Sequence, residues 1–149
     1  MRWITCILTL AALTGPAQAD LIGRFLESPG TCYAVVYDAE ALAERPRQQV
    51  TGLFISNTAP QKPGRSEFLL DFAYTTRDGS RYEAKAACLD DQCRLAGNGG
   101  SFAVSETGDG LRFDFAAHSI LNQRMGAGEL SGSDDLVFLV FPDEHAVCR

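Results

Sequence analysis

From Gly64 onward the chain is written as short apolar runs alternating with polar residues and cut by Gly, Asn and Asp. Alternation with a period of two is the pattern of a β-strand, because successive side chains of a strand point to opposite faces. Phe68, Leu70, Phe72 and Tyr74 alternate with Leu69, Asp71, Ala73 and Thr75, and Tyr82, Ala84, Ala86 and Cys88 alternate with Arg81, Glu83 and Lys85. Arg77-Asp78-Gly79-Ser80 between the two runs is turn chemistry, so they predict a hairpin. A second hairpin is expected where Phe102 and Val104 are followed by Thr107-Gly108-Asp109-Gly110 and then by Leu111, Phe113 and Phe115.

Upstream, residues 32–37 and 50–55 are rich in aromatic and β-branched side chains, and further strands are expected near residues 119–123 and 128–131. The run 136–141 is apolar throughout and predicts a central strand covered on both faces. Asp38 followed by Ala39-Glu40-Ala41-Leu42-Ala43-Glu44 reads as an N-cap and one short helix that ends before Pro46. The expected fold is mainly β: a small antiparallel β-barrel or β-sandwich of about eight strands with at most one or two short helices.

The N-terminus adds an address. Arg2 precedes an apolar run from Trp3 to Thr14, and Gly15, Pro16 and the small-residue site Ala17-Gln18-Ala19 follow. The run is short of the roughly 20 residues that span a bilayer, so residues 1–19 read as a secretory signal peptide, with no membrane span in the processed chain. Residues 20–149 form the expected single exported domain, periplasmic or secreted. Without Arg2 the chain carries 12 basic and 19 acidic residues, a net charge of −7. That sign opposes nucleic-acid binding, which depends on Lys and Arg displacing counterions from phosphates.

Cleavage also removes Cys6 and leaves an even set: Cys32, Cys88, Cys93 and Cys148. In an exported chain this predicts two disulfides. The interval Leu89-Asp90-Asp91-Gln92 suits closure of a hairpin end by Cys88 with Cys93, which leaves Cys32 with Cys148 to join the two ends of the domain. A zinc cage from Cys88, Cys93, His145 and Cys148 is the competing arrangement, and an oxidising compartment disfavours it. No metal or cofactor is expected.

Catalytic signals are sparse. His118 and Ser119 are adjacent and would face opposite ways on a strand, while His145 lies in Asp143-Glu144-His145 near the C-terminus. No Gly-x-Ser-x-Gly elbow occurs. Asp90-Asp91 and Asp134-Asp135 read as turn acids bonded to nearby backbone amides, without the spacing of a calcium loop. Gly97-Asn98-Gly99-Gly100 precedes a strand rather than a helix, so it reads as a reversal and not a phosphate loop. Arg45, Arg47, Lys62 and Arg65 flank a Pro-containing loop on an otherwise acidic chain, and mark a candidate partner-contact loop.

The expected function is that of an exported, non-enzymatic binding or interaction module of the cell envelope. An inhibitor or binder of a cationic secreted protein fits its charge, with an envelope or extracellular protein as partner. The alternative is a carrier of a small apolar ligand in a barrel cavity lined by Phe68, Phe72, Phe102 and Phe113. A small hydrolase using a histidine ranks third.

Overall fold

Alternating apolar residues fold here into strands whose inner faces share one core. The computed structural model describes residues 30–57, 67–96, 100–116, 135–143 and 148. Its strands are β1 (Cys32–Val36), β2 (Val50–Ser56), β3 (Glu67–Thr76), β4 (Arg81–Leu89), β5 (Gln92–Leu95), β6 (Ser101–Thr107), β7 (Gly110–Phe115) and β8 (Val137–Asp143). They pair antiparallel in chain order, and β1 pairs back on β8, so the sheet is a closed barrel rather than a sandwich. β5 follows the hairpin end that Cys88 and Cys93 close, where the sequence reading names no strand. Four residues show too little alternation to announce a strand, and its pairing with both β4 and β6 defines it. The expected strands near residues 119–123 and 128–131 lie outside the described residues.

The inner face is built by the predicted residues. Leu53, Ile55, Phe68, Leu70, Phe72, Tyr74, Phe102, Phe113 and Phe138 are all buried to 2% exposure or less. Their rings interlock: Phe102 lies 4.9 Å from Phe115 and 5.6 Å from Phe113, and Phe115 lies 5.6 Å from Phe72 and 5.7 Å from Phe138, centroid to centroid. An eight-stranded barrel is just wide enough for side chains to fill. Each buried ring of this kind contributes about 1.5–3 kcal/mol of transfer free energy.

The run at residues 136–141 departs from expectation. β8 buries Phe138 and Val140, whereas Val137, Leu139 and Phe141 stand 39%, 43% and 44% exposed. A strand in a small barrel has one face on the core and one outside, so uniform hydrophobicity cannot cover both. The outward residues are instead an apolar strip on the outer wall.

Between β1 and β2 lies α1 (Ala39–Glu44), with Asp38 as N-cap accepting from Ala41 N at 2.8 Å. Because the strands alternate in direction, α1 and the β3–β4 turn share one end of the barrel. The β4–β5 and β6–β7 turns and both disulfides share the other. Cys88 and Cys93 face each other across β4 and β5 and are bonded, and Cys32 is bonded to Cys148. The thiolates of the competing zinc arrangement are therefore consumed. Asp90 in the β4–β5 turn takes φ 54°, the left-handed conformation that short polar side chains and glycine tolerate.

Loop-closure entropy orders the two staples. The pairs are 116 and 5 residues apart, so replacing both Cys32 and Cys148 by Ala should destabilise by about 5 kcal/mol against about 2 kcal/mol for Cys88 and Cys93. Urea unfolding of the two double variants measures the order, and equal losses would show that native contacts rather than chain entropy set their worth.

Candidate functional site

The helical end of the barrel is closed by matched polar groups. Arg77, in the β3–β4 turn, donates from Nε to the Gln48 carbonyl at 2.5 Å and from Nη2 to the Leu42 and Arg45 carbonyls at 2.8 and 3.0 Å. These are carbonyls of the α1 C-terminus and the segment after it, where a helix leaves acceptors unsatisfied and favours a cation. Gln48 is buried and donates from Nε2 to Val50 O at 2.8 Å. Asp135, 1% exposed, accepts from Gln49 N at 2.7 Å and Val50 N at 3.0 Å. Two of the amides that Asp135 accepts from lie more than 80 residues away in sequence, at the start of β2. A carboxylate is tolerated in such burial only when hydrogen bonded. Asp134 lies outside the described residues.

Along the wall, β1 and β8 pair only through Cys32↔Asp143, Tyr33↔Pro142 and Ala34↔Phe141. Beyond Ala34 the described strands separate, and a groove of about 480 Å³ opens there, lined by Val35, Tyr37, Val137, Leu139 and Phe141 with Arg45 and Arg112. Arg45 carries its guanidinium over the Tyr37 ring at 5.5 Å. Arg112 holds Asp114 through Nε at 2.9 Å and Nη2 at 2.8 Å, and these hydrogen bonds lower the Asp114 pKa below the ordinary aspartate value. Gly110 gives Phe141 its place: a Cβ at Gly110 would meet the Phe141 ring at 2.8 Å and Val140 O at 2.7 Å.

Two other surfaces carry charge. At the disulfide end the β4–β5 turn and the tip of the β6–β7 hairpin expose Asp90, Asp91, Glu106 and Asp109, and neither segment contains Lys or Arg. On the outer wall of β2, β3 and β4 a groove of about 370 Å³ is lined by Phe54, Asp71, Arg81, Glu83 and Lys85 among others. Its charges are paired internally: Lys85 with Asp71, and Arg81 with Glu83 at 3.3 Å. Arg81 also covers the Phe54 ring at 5.3 Å.

Of the predicted contact residues, Arg45 and Arg47 are described. Arg45 and Arg47 precede β2 at the helical end, and Arg45 is engaged with Tyr37 and with Gln48 Oε1 at 3.4 Å. Lys62 and Arg65 lie outside the described residues. His118, His145 and most of Gly97-Asn98-Gly99-Gly100 are also outside them. Among the described residues no helix is long and apolar enough to cross a membrane, and no group of three or more His, Cys, Asp or Glu is placed to hold a metal ion. Three features escaped sequence reading: the helix-capping role of Arg77, the long-range bonds of Asp135 and the open seam. Only the seam left a signal, the excess apolar residues of the last strand.

Substitutions at three positions test this geometry. Asp135→Ala, which strands two amides, should cost about 2–4 kcal/mol in chemical denaturation, with Asp135→Asn milder; equal stability of Ala and wild type would deny the lock. Gly110→Ala should destabilise by about 1–3 kcal/mol through steric displacement and shift the Phe141 ring resonances in NMR spectra. Burial raises the Tyr37 pKa above 10.0, opposed in part by the Arg45 guanidinium. A raised pKa stabilises below the unfolded value and is lost as pH rises through the folded one, so Tyr37→Phe should flatten the loss of stability above about pH 10. Ultraviolet phenolate titration of both proteins measures it.

No family model, curated protein or solved structure matches the chain.

Proposed function

We propose that the protein is an exported binding module whose acidic end engages a cationic secreted or envelope protein, inhibiting or sequestering it. The observation that carries this reading is the grouping of Asp90, Asp91, Glu106 and Asp109 on the two hairpin tips at the disulfide-stapled end, in segments without a base. Short hairpins held by paired strands and the Cys88–Cys93 bond present carboxylates on a rigid frame, which limits the ordering entropy lost on association. The net charge of −6 adds long-range attraction for a cationic partner. Disulfides accord with an oxidising compartment, and residues 1–19 with export.

A binding role outside the barrel is favoured over a carrier role inside it. Phe68, Phe72, Phe102 and Phe113 occupy the interior that an apolar ligand would need.

The test is titration with a cationic secreted protein, a lysozyme as first probe, followed by calorimetry and by inhibition of its activity. Saturable binding that weakens steeply with salt is expected, and the combined Asp90→Asn, Asp91→Asn, Glu106→Gln and Asp109→Asn variant should lose about tenfold or more in association rate. Glu40→Gln with Glu44→Gln, a charge change on α1, is the control. Equal loss per charge removed in the two variants would assign the effect to net charge alone and overturn the proposed face.

A further inference from the structure

We propose that the open seam between β1 and β8 is a peptide-binding site that takes an extended apolar segment bearing a carboxylate, added as a strand on the β8 edge. Backbone direction carries the first step. Phe115 N donates to Leu136 O at 2.7 Å, and the β7–β8 register runs without a shift through Phe113↔Phe138 and Leu111↔Val140. Hydrogen-bonded positions alternate along an antiparallel pair, so 136, 138 and 140 bond to β7 while Val137 and Leu139 turn their N–H and C=O groups away from it, toward the seam. The same reasoning applies to β1. Tyr37 N donates to Thr51 O at 2.9 Å, which places 33, 35 and 37 on the β2 side and turns Val36 toward β8.

Val36 and Leu139 would be the next bonded pair after Ala34↔Phe141, yet among the described strands they do not pair. The seam therefore offers strand edges with donors and acceptors at the spacing of a ladder. Exposed apolar edges are a liability that proteins normally cover. Here Val36 is 65% exposed, and Val137, Leu139 and Phe141 flank the edge on the outer wall.

Charge selects the occupant. The charged side chains that line the groove are Arg45 and Arg112, in a chain whose acids outnumber its bases. Asp114 engages the Nε and Nη2 edge of Arg112 and leaves its Nη1 for a carboxylate, while Arg45, held by Gln48 through Nη1 and by the Tyr37 side chain, adds its positive charge to the rim. Backbone pairing supplies affinity and the flanking apolar side chains and arginines supply selectivity, the recognition mode of strand addition. This site is separate from the acidic end and does not rest on it.

The experiment titrates the full chain with a blocked pentapeptide of alternating Val and Thr carrying one Glu, read by amide chemical shifts and calorimetry. Shifts centred on Val36, Val137 and Leu139 with slowed exchange of the Val137 and Leu139 amides are expected. The same peptide N-methylated on alternate residues should bind about tenfold more weakly, and a Glu→Gln peptide or the Arg45→Gln, Arg112→Gln protein about threefold more weakly. Leu139→Pro, whose lost N–H points away from β7, should keep the barrel by near-ultraviolet circular dichroism and lose the peptide. The acidic-tip variant should bind the peptide as well as wild type does. Equal affinity for the N-methylated peptide would overturn strand addition in favour of apolar adhesion. Perturbation of the same amides by protein concentration alone would assign the edge to a second copy of the chain. No shift at millimolar peptide would also overturn the proposal.

Discussion

Closure of β1 onto β8 is the contact on which the rest of the structure depends. It joins strands at opposite ends of the chain through three residue pairs, Cys32↔Asp143, Tyr33↔Pro142 and Ala34↔Phe141. Such a contact is entropically the most expensive in the fold, because nearly the whole domain forms the loop it closes. The Cys32–Cys148 bond ties the chain beside this closure and removes much of that cost from the folding equilibrium. Without closure the β1 and β8 faces would not meet over the same aromatic core, and Tyr33 and Phe138 would border solvent instead of each other's neighbours.

The closure is uneven along its length, and this unevenness links the fold to its surface. At the disulfide end the seam is paired and covalently held. Toward the helical end pairing stops, and there the polar lock of Asp135 on Gln49 and Val50, with Arg77 on the carbonyls of α1 and its C-terminal segment, holds the top of the barrel in place. Rigidity at both ends leaves between them a short edge that is unpaired among the described residues. The acidic hairpin tips lie at one end and the arginine-rimmed groove opens toward the other, so a chain acidic overall still presents two surfaces of different chemistry.

Much of the wall was legible from residues. Phe68 through Tyr74, Tyr82 through Cys88 and Leu111 through Phe115 point as their alternation requires, because a period of two allows only one face to meet the core. The Asp38 cap, the Gly79 and Gly108 turns and both disulfides were equally readable, since each depends on neighbours in sequence or on counting cysteines. β5 was not, being too short to show a period. The last strand misled because Val137, Leu139 and Phe141 have the hydrophobicity of core residues while standing on the outer wall. Of the candidate contact loop, Arg45 proved to be bound to Tyr37 and Gln48, which no charge count reveals.

The sequence by itself determined most of the strands and their inward faces, the short helix and the presence of two staples, all of them consequences of local periodicity, turn chemistry and cysteine number. Tertiary structure alone decided that the sheet closes into a barrel, that Asp135 and Arg77 lock one end, and that among the described residues β1 and β8 do not pair beyond Ala34. The physical reason is that these features are relations between groups tens of residues apart. Local pattern states which face of each strand is apolar, whereas the number of strands, their register and the room left between the first and the last state where those faces meet.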